Sequence, residues 1–302
     1  MATGNHEEVG SLDSRVPCKP EDLLRIRGRI VTCESGRMGP VRFTARSMAE
    51  RSNLWRVTSS VYEPLWRKFS TGVLTRGTWT LEQECAMMTA MLQPVSVGHY
   101  IDIGCSTGVY ARAILSYAPD CGVILVDYSL PMLEKARLKT SGPATSGSGT
   151  SGPGTSDGGA ARRDTAGGTT AASEAPGINE AKAGRDAGCD TLATYLQCDA
   201  AALPMADRSV DGAVMGGTLN ELTEPERVLS ELARVLKTGA SAVIMHLART
   251  GRAGLFTRML ASGGVWIPDE RGADAMFREA GFEIVDTRRA GIMRLVHLRV
   301  SG

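Results

Sequence analysis

This chain of 302 residues has no excess of charge, no long apolar run and no cysteine framework. Lys and Arg number 34 against 33 Asp and Glu, a net charge of +1. That balance leaves no electrostatic footprint for nucleic acid or an anionic membrane. No apolar run approaches the roughly 20 residues of a membrane span. The first residues, Met-Ala-Thr-Gly-Asn-His-Glu-Glu, lack the basic flank and apolar core of a signal peptide. Seven scattered cysteines, an odd number, read as reduced thiols in a cytoplasmic protein. One stretch lacks something further. From Ser141 to Gly177 all but five residues are Gly, Ser, Thr, Ala or Pro, and none is Leu, Ile, Val or aromatic. Such a segment cannot bury enough apolar surface to fold, so the reading is a disordered insertion over 141–188. Loop-closure entropy rises slowly with length, so a folded core tolerates it.

What is present is a globular core: apolar residues make up 42% of the chain. Tyr100–Ile103 reads as a short strand that turns sharply, through Gly104 and Gly108, into a helix over Val109–Tyr117. A strand turning on glycines into a helix is a nucleotide-type cradle, because bare backbone lets a ligand approach closely. The next strand, Val123–Val126, belongs to an unbroken apolar run, as a parallel strand buried on both faces must. It ends in Asp127, about twenty residues beyond the turn, where a carboxylate can accept hydrogen bonds from ribose hydroxyls. The order Asp102-x-Gly104-x-Ser106-x-Gly108 is not the Gly-x-Gly-x-x-Gly of a pyrophosphate binder. An acid before the turn repels pyrophosphate and suits a ligand carrying a cationic amine.

Asp-Ile-Gly-Cys-Ser-Thr-Gly (102–108), followed by Val-Asp-Tyr-Ser-Leu-Pro-Met-Leu-Glu-Lys-Ala-Arg (126–137), resembles the class I S-adenosylmethionine-dependent methyltransferases. The resemblance is to the type 11 group, which includes ubiquinone and menaquinone C-methyltransferases. It covers about residues 45–300 without the insertion, and it departs from the usual pattern at Ser106, where glycine is customary. It implies an α/β fold: a doubly wound, Rossmann-like, seven-stranded sheet with helices on both faces, an antiparallel closing strand and an N-terminal helical cover. It also implies S-adenosyl-L-methionine as cofactor, held by Asp102, Gly104, Cys105, Ser106, Gly108, Asp127, Tyr128 and Met132. Asp199 and Ala200, after the third core strand, would hold the adenine, and Gly216 would end the fourth strand beside the methyl donor. Further elements expected are helices at Leu81–Leu92, Leu130–Leu138, Glu224–Leu236 and Arg271–Gly281, a fifth strand at Ser241–His246, and closing strands at Phe282–Asp286 and Ile292–Val300.

The expected organisation is a polar tail and hairpin over 1–44, a helical cover over 45–98 and a core over 99–302. Cys18 and Cys33 stand where relatives with an N-terminal zinc ribbon have the first cysteine of each Cys-x-x-Cys pair. Glu21 and Gly36 replace the second members, so the hairpin is read as degenerate and without metal, since structural zinc needs four ligands. Trp55, Tyr62 and Trp66 fall in the cover, and the acceptor pocket is expected between this segment, the ends of the fourth and fifth strands, and the apolar run from Leu255-Phe256 to Val265-Trp266-Ile267. Asn220, Glu221 and His246 would supply its polar groups. His246 is the candidate general base and Tyr62 a second catalytic candidate; His99 and His297 are read as structural. The expected activity is methyl transfer to a small, largely apolar acceptor, aromatic or prenylated, with no nucleic-acid partner. Two alternatives stay open: a protein that binds S-adenosylmethionine for a non-methyl step or for regulation, and an rRNA methyltransferase. Acceptor identity and oligomeric state are not written in the sequence.

Overall fold

In the computed structural model, residues 19–25, 28–34, 37–38, 68–140, 192–249, 255–262 and 264–302 are described. They build one sheet in the order β2-β1-β5-β4-β3-β6-β7-β9-β8. Its strands are β1 (Ile30–Glu34), β2 (Arg37–Met38), β3 (His99–Ile103), β4 (Gly122–Asp127), β5 (Ala193–Gln197), β6 (Val210–Gly216), β7 (Leu236–Leu247), β8 (Phe282–Ala290) and β9 (Met293–Val300). Strands β1 and β3 to β7 pair in parallel, whereas β9 lies antiparallel between β7 and β8. Neighbours out of sequence order, on both sides of β3, make this a doubly wound sheet.

Alternate residues of each strand point to opposite faces. Ile101, Ile103, Ile124, Val126, Met215 and Ile244 enter one core cluster, and Tyr100, Val123, Leu125, Val214, Val243 and Met245 enter the other. Both faces are covered. On the first lie α1 (Pro20–Leu24), α6 (Pro225–Val235) and α8 (Glu270–Glu279), contributing Leu23, Leu229, Leu232 and Phe277. On the second lie α3 (Leu81–Leu92), α4 (Val109–Tyr117) and α5 (Leu130–Thr140), contributing Met88, Ile114, Leu133 and Ala136. Local signals set these boundaries. Thr80 and Gln83 form a reciprocal capping box at the start of α3. Pro225 opens α6, which ends where Leu236 turns extended. Helices α2 (Lys68–Leu74) and α7 (Leu255–Ser262) complete the set. Among the described residues no helix is long and apolar enough to cross a membrane.

Two expectations are corrected. The sheet has nine strands, because the β1–β2 hairpin joins it: Ile30, Val31 and Thr32 pair with Tyr195, Leu196 and Gln197. The Thr194 hydroxyl also donates to the Leu23 carbonyl at 2.8 Å, tying α1 to β5. The fifth core strand begins at Leu236, not Ser241; Gly239, at φ +77°, supplies the backbone freedom that lets the strand run on from the helix end. The low-complexity stretch, Cys18, Trp55, Tyr62 and Trp66 all lie outside the described residues.

Candidate functional site at the carboxyl edge of the sheet

The parallel register brings the ends of four strands to one edge. Ile103 is level with Val126 on one side and Met215 on the other, and Asp127 is level with Gln197. Gly104, Asp127, Cys198–Asp199 and Gly216 therefore stand within about one residue of a common line. In open α/β sheets this edge, at the reversal of strand order, is where ligands bind.

The turn after β3 is built from left-handed backbone. Gly104, Ser106 and Gly108 have φ of +63°, +50° and +76°. Gly104 admits no side chain, since a Cβ there would lie 2.1 Å from the Thr218 hydroxyl oxygen. Thr218 belongs to a one-turn 3-10 segment, Thr218–Asn220, that follows β6. Ser106 does adopt the turn, at the cost an L side chain meets in the left-handed region, about 1–2 kcal/mol. Its hydroxyl donates to the Met132 sulfur at 3.5 Å, so buried Met132 backs the turn from α5.

Two carboxylates lock this cradle. Asp102, 1% exposed, accepts from the Ala111 N–H at 3.1 Å and so binds the end of β3 to the first turn of α4. Asp127 accepts from the Ser106 N–H through one oxygen and from the Ser129 N–H through the other, both at 2.8 Å. Burial raises its pKa to about 6 against the pull of these backbone donors. Each carboxylate oxygen has two lone-pair sites, so both oxygens keep acceptor capacity for a ligand's hydroxyls. Beside it, Gln197 donates to the Tyr128 carbonyl at 3.0 Å, joining the ends of β4 and β5. Asp199 is exposed, and its carboxylate accepts from the Ala201 N–H at 2.9 Å, which orders the loop that carries Ala200. Cys105 and Cys198 are buried free thiols whose pKa is pushed up mainly by burial, the environment of an inert cysteine.

The structure thus brings Asp102, Gly104, Cys105, Ser106, Gly108, Asp127, Tyr128, Met132, Asp199, Ala200 and Gly216 to one end of the sheet. His246 is different, and its expected role as a base is corrected. It has no exposed surface and packs edge-on against Phe277 of α8, with ring centroids 5.6 Å apart. Burial, aided by the positive Arg294, lowers its pKa to about 3. A general base must lie within hydrogen-bond reach of the proton it takes, and this ring faces the core. Asn220 is likewise not a pocket group. Its amide donates to the carbonyls of Leu247 and Trp266 at 2.8 and 2.7 Å and accepts from the Leu247 N–H at 2.7 Å. It is a buried clamp between the 3-10 turn, the end of β7 and the 264–268 segment. Glu221, next to it, is half-buried.

Two participants escaped the sequence reading. Thr218 fills the space above Gly104. Tyr110 lies on Gly216, where a Cβ would come 2.0 Å from its ring. The sequence signal for both was the glycine opposite: each marks a spot a neighbouring side chain must occupy.

Residues 164–244 match the family described as Methyltransferase domain. A demethylmenaquinone methyltransferase of Roseiflexus sp. (strain RS-1) is 24% identical over 211 residues, 70% of this chain and 65% of that protein. A 2-phytyl-1,4-naphtoquinone methyltransferase of Synechocystis sp. is 42% identical over 59 residues, 20% of this chain and 25% of that one. The chain thus spans less than two thirds of the length of either relative. A phosphoethanolamine N-methyltransferase 2 of Haemonchus contortus, solved with S-adenosylhomocysteine, superposes with a TM-score of 0.54 at 16% identity, covering 83% of this chain and 47% of that one. A doubly wound sheet with an antiparallel closing strand, a left-handed Asp-x-Gly-x-Ser-x-Gly turn locked by the acid after the next strand, and these likenesses agree: the chain has the fold of the class I S-adenosylmethionine-dependent methyltransferases and is similar to them in sequence.

Proposed function

We propose that this protein transfers a methyl group from S-adenosylmethionine to a small, largely apolar acceptor of quinone or prenylated aromatic type. The observation that carries the reading is the Asp127 carboxylate, buried at the end of β4 and bonded back to the Ser106 N–H. It joins the acid to the cradle in one rigid unit. Asp127 takes the ribose hydroxyls, and Asp199 with Ala200 takes the adenine. The aminoacyl tail passes along the bare backbone of Gly104 and Gly216, whose side-chain positions Thr218 and Tyr110 occupy. The donor supplies a methyl already activated by a positively charged sulfur. What remains for the protein is to hold donor and acceptor in line and exclude water.

The acceptor class is supported by the quinone substrates named for the relatives and by an apolar run beside β6 and β7. Val265 and Ile267 pack with Leu260 on the core, and Trp266 between them is 39% exposed. The Trp266 N–H donates to the Asn220 carbonyl at 2.8 Å, which fixes this run next to the strand ends. Small-ligand pockets are mostly apolar with a few placed polar groups. Because His246 is buried, the reading favours a carbon acceptor, or one acidic enough to dispense with a strong base. Tyr62 remains a proposed contributor from the cover.

Calorimetry with S-adenosylhomocysteine, then incubation of labelled donor with quinones, phenols and lipids, tests both halves. Binding followed by label in a quinone or prenylated aromatic product supports the reading. Binding with no methylated product favours the alternative of a donor-binding protein with another task, and absence of binding removes the donor reading altogether.

A further inference from the structure

Four elements converge on one buried point beside the cradle. Glu84 of α3 has no exposed surface. Its carboxylate accepts from the Thr71 hydroxyl of α2 at 3.1 Å and from the Tyr110 hydroxyl of α4. Tyr110 is 4% exposed, and its ring lies on Gly216 at the end of β6. A carboxylate placed in such a site is costly unless its oxygens are bonded, so a polar pair buried here calls for a reason. Met88 and Leu92 of α3 pack in the apolar cluster on the sheet, and a Leu–Phe pair would fill the volume of Glu84 and Tyr110 without burying polar groups.

We propose that Glu84 and Tyr110 are a positioning pair for the aminoacyl end of the donor, linking the helices that precede the core to the floor of the cradle. This rests on the donor reading above. Asp127 and Asp199 take the nucleoside at the ends of β4 and β5, so the tail runs toward β3 and β6, along the backbone of Gly104 and Gly216 that Thr218 and Tyr110 back. The Tyr110 ring is the support behind Gly216. A phenol ring pinned at its hydroxyl cannot slide, and the pin is a carboxylate held by a second hydroxyl from α2. Helix α2 is itself anchored on the closing hairpin, since the Ile292 N–H donates to the Leu74 carbonyl. The position of α2 is thereby transmitted through Thr71, Glu84 and Tyr110 to the strand end beside the reacting centre.

The test compares S-adenosylhomocysteine, which carries the tail, with 5′-methylthioadenosine, which lacks its amino and carboxyl groups, on the full chain by calorimetry. Tyr110→Phe and Glu84→Gln should each weaken S-adenosylhomocysteine about tenfold, the loss of about one hydrogen bond to a charged group, and leave methylthioadenosine unchanged. The double variant should lose no more than the weaker single one, because the two act as a unit. Thr71→Val, a milder change at the far side of Glu84, should act in the same direction if Glu84→Gln folds poorly. Tyr100→Phe is the control. It removes another buried tyrosine hydroxyl, the acceptor of the Val95 N–H at the opposite end of β3, and should leave both affinities unchanged. Equal losses for both ligands, or a loss in Tyr100→Phe matching that of Tyr110→Phe, would reduce the pair to general stability and overturn the inference. So would wild-type affinities in all three cradle variants. A wild-type protein that binds neither ligand overturns the donor reading, and this inference with it.

Discussion

Asp127 gives the sharpest test of the site, because its environment sets both a sign and a size. Its folded pKa is about 6, raised from 3.8 by burial. A ribose diol donates to the ionised carboxylate and less well to the protonated one. Donor affinity should therefore be constant above pH 7 and fall below pH 6, approaching tenfold per unit, so that at pH 5 it is about one tenth of its plateau. Stability moves in the opposite direction. Between pH 3.8 and 6 the native carboxyl holds a proton that the unfolded chain has released, so the folded state loses stability as pH rises through that window, by roughly 3 kcal/mol in total. Asp127→Asn removes the titration. Its amide must also point an N–H₂ at one of the Ser106 and Ser129 N–H groups, which costs a further ~1.5–3 kcal/mol at all pH values. The assay is S-adenosylhomocysteine calorimetry and urea unfolding of both proteins from pH 4 to 8. In the wild type, affinity should rise with pH while the stability advantage over the variant shrinks. Affinity that is flat from pH 5 to 8, or a stability difference that grows with pH, would refute the reasoning.

Other outcomes follow from the same structure. Ser106→Gly relieves a left-handed φ worth about 1–2 kcal/mol against a glycine entropy cost of about 0.5–1, so urea unfolding should show a gain of about 0.5–1 kcal/mol. His246→Leu should leave donor affinity unchanged, read by calorimetry. The native ring, with pKa about 3, refuses the proton that the unfolded chain takes up below about 6.5, so relative to the variant the wild type should lose about 1.4 kcal/mol per unit as pH falls through that interval, read by urea unfolding. Asn220→Ala deletes three hydrogen bonds, two of them buried, and strands their partners, a loss of about 3 kcal/mol or more in the free energy of urea unfolding.

The core strands and helices were legible where a local signal or the family resemblance marks them, as in the unbroken apolar run of β4. The cradle was legible for the same reason, since Gly104, Ser106, Gly108 and the acids around them are fixed by backbone conformation within a few residues. What sequence could not show depends on contacts between distant segments. Residues 1–44 were read as a polar tail and a degenerate hairpin, because nothing local says that the partner of Ile30–Glu34 is β5. His246 looked like a pocket residue because strand position fixes the end of the sheet but not the face, and the face here belongs to Phe277 and Arg294. Asn220 sits as near the edge as expected, yet its amide is consumed by Leu247 and Trp266, two partners that only the folded chain brings together.

The pairing of β1 with β5 also has a consequence in time. The Thr194–Leu23 bond closes a loop of 171 residues. At typical rates of about 5–20 residues per second, a ribosome needs roughly ten to thirty seconds to make the intervening chain. Through that interval β1 has, among the described strands, only the two residues of β2 beside it, and its other edge waits for β5. The segment is suited to the wait. It is short, and β2 beyond it contributes two residues, so it offers little edge for a stranger to zip onto. Residues 30–34 are thus an early product and a late arrival: they dock beside the strand that leads into Asp199 only after that strand exists.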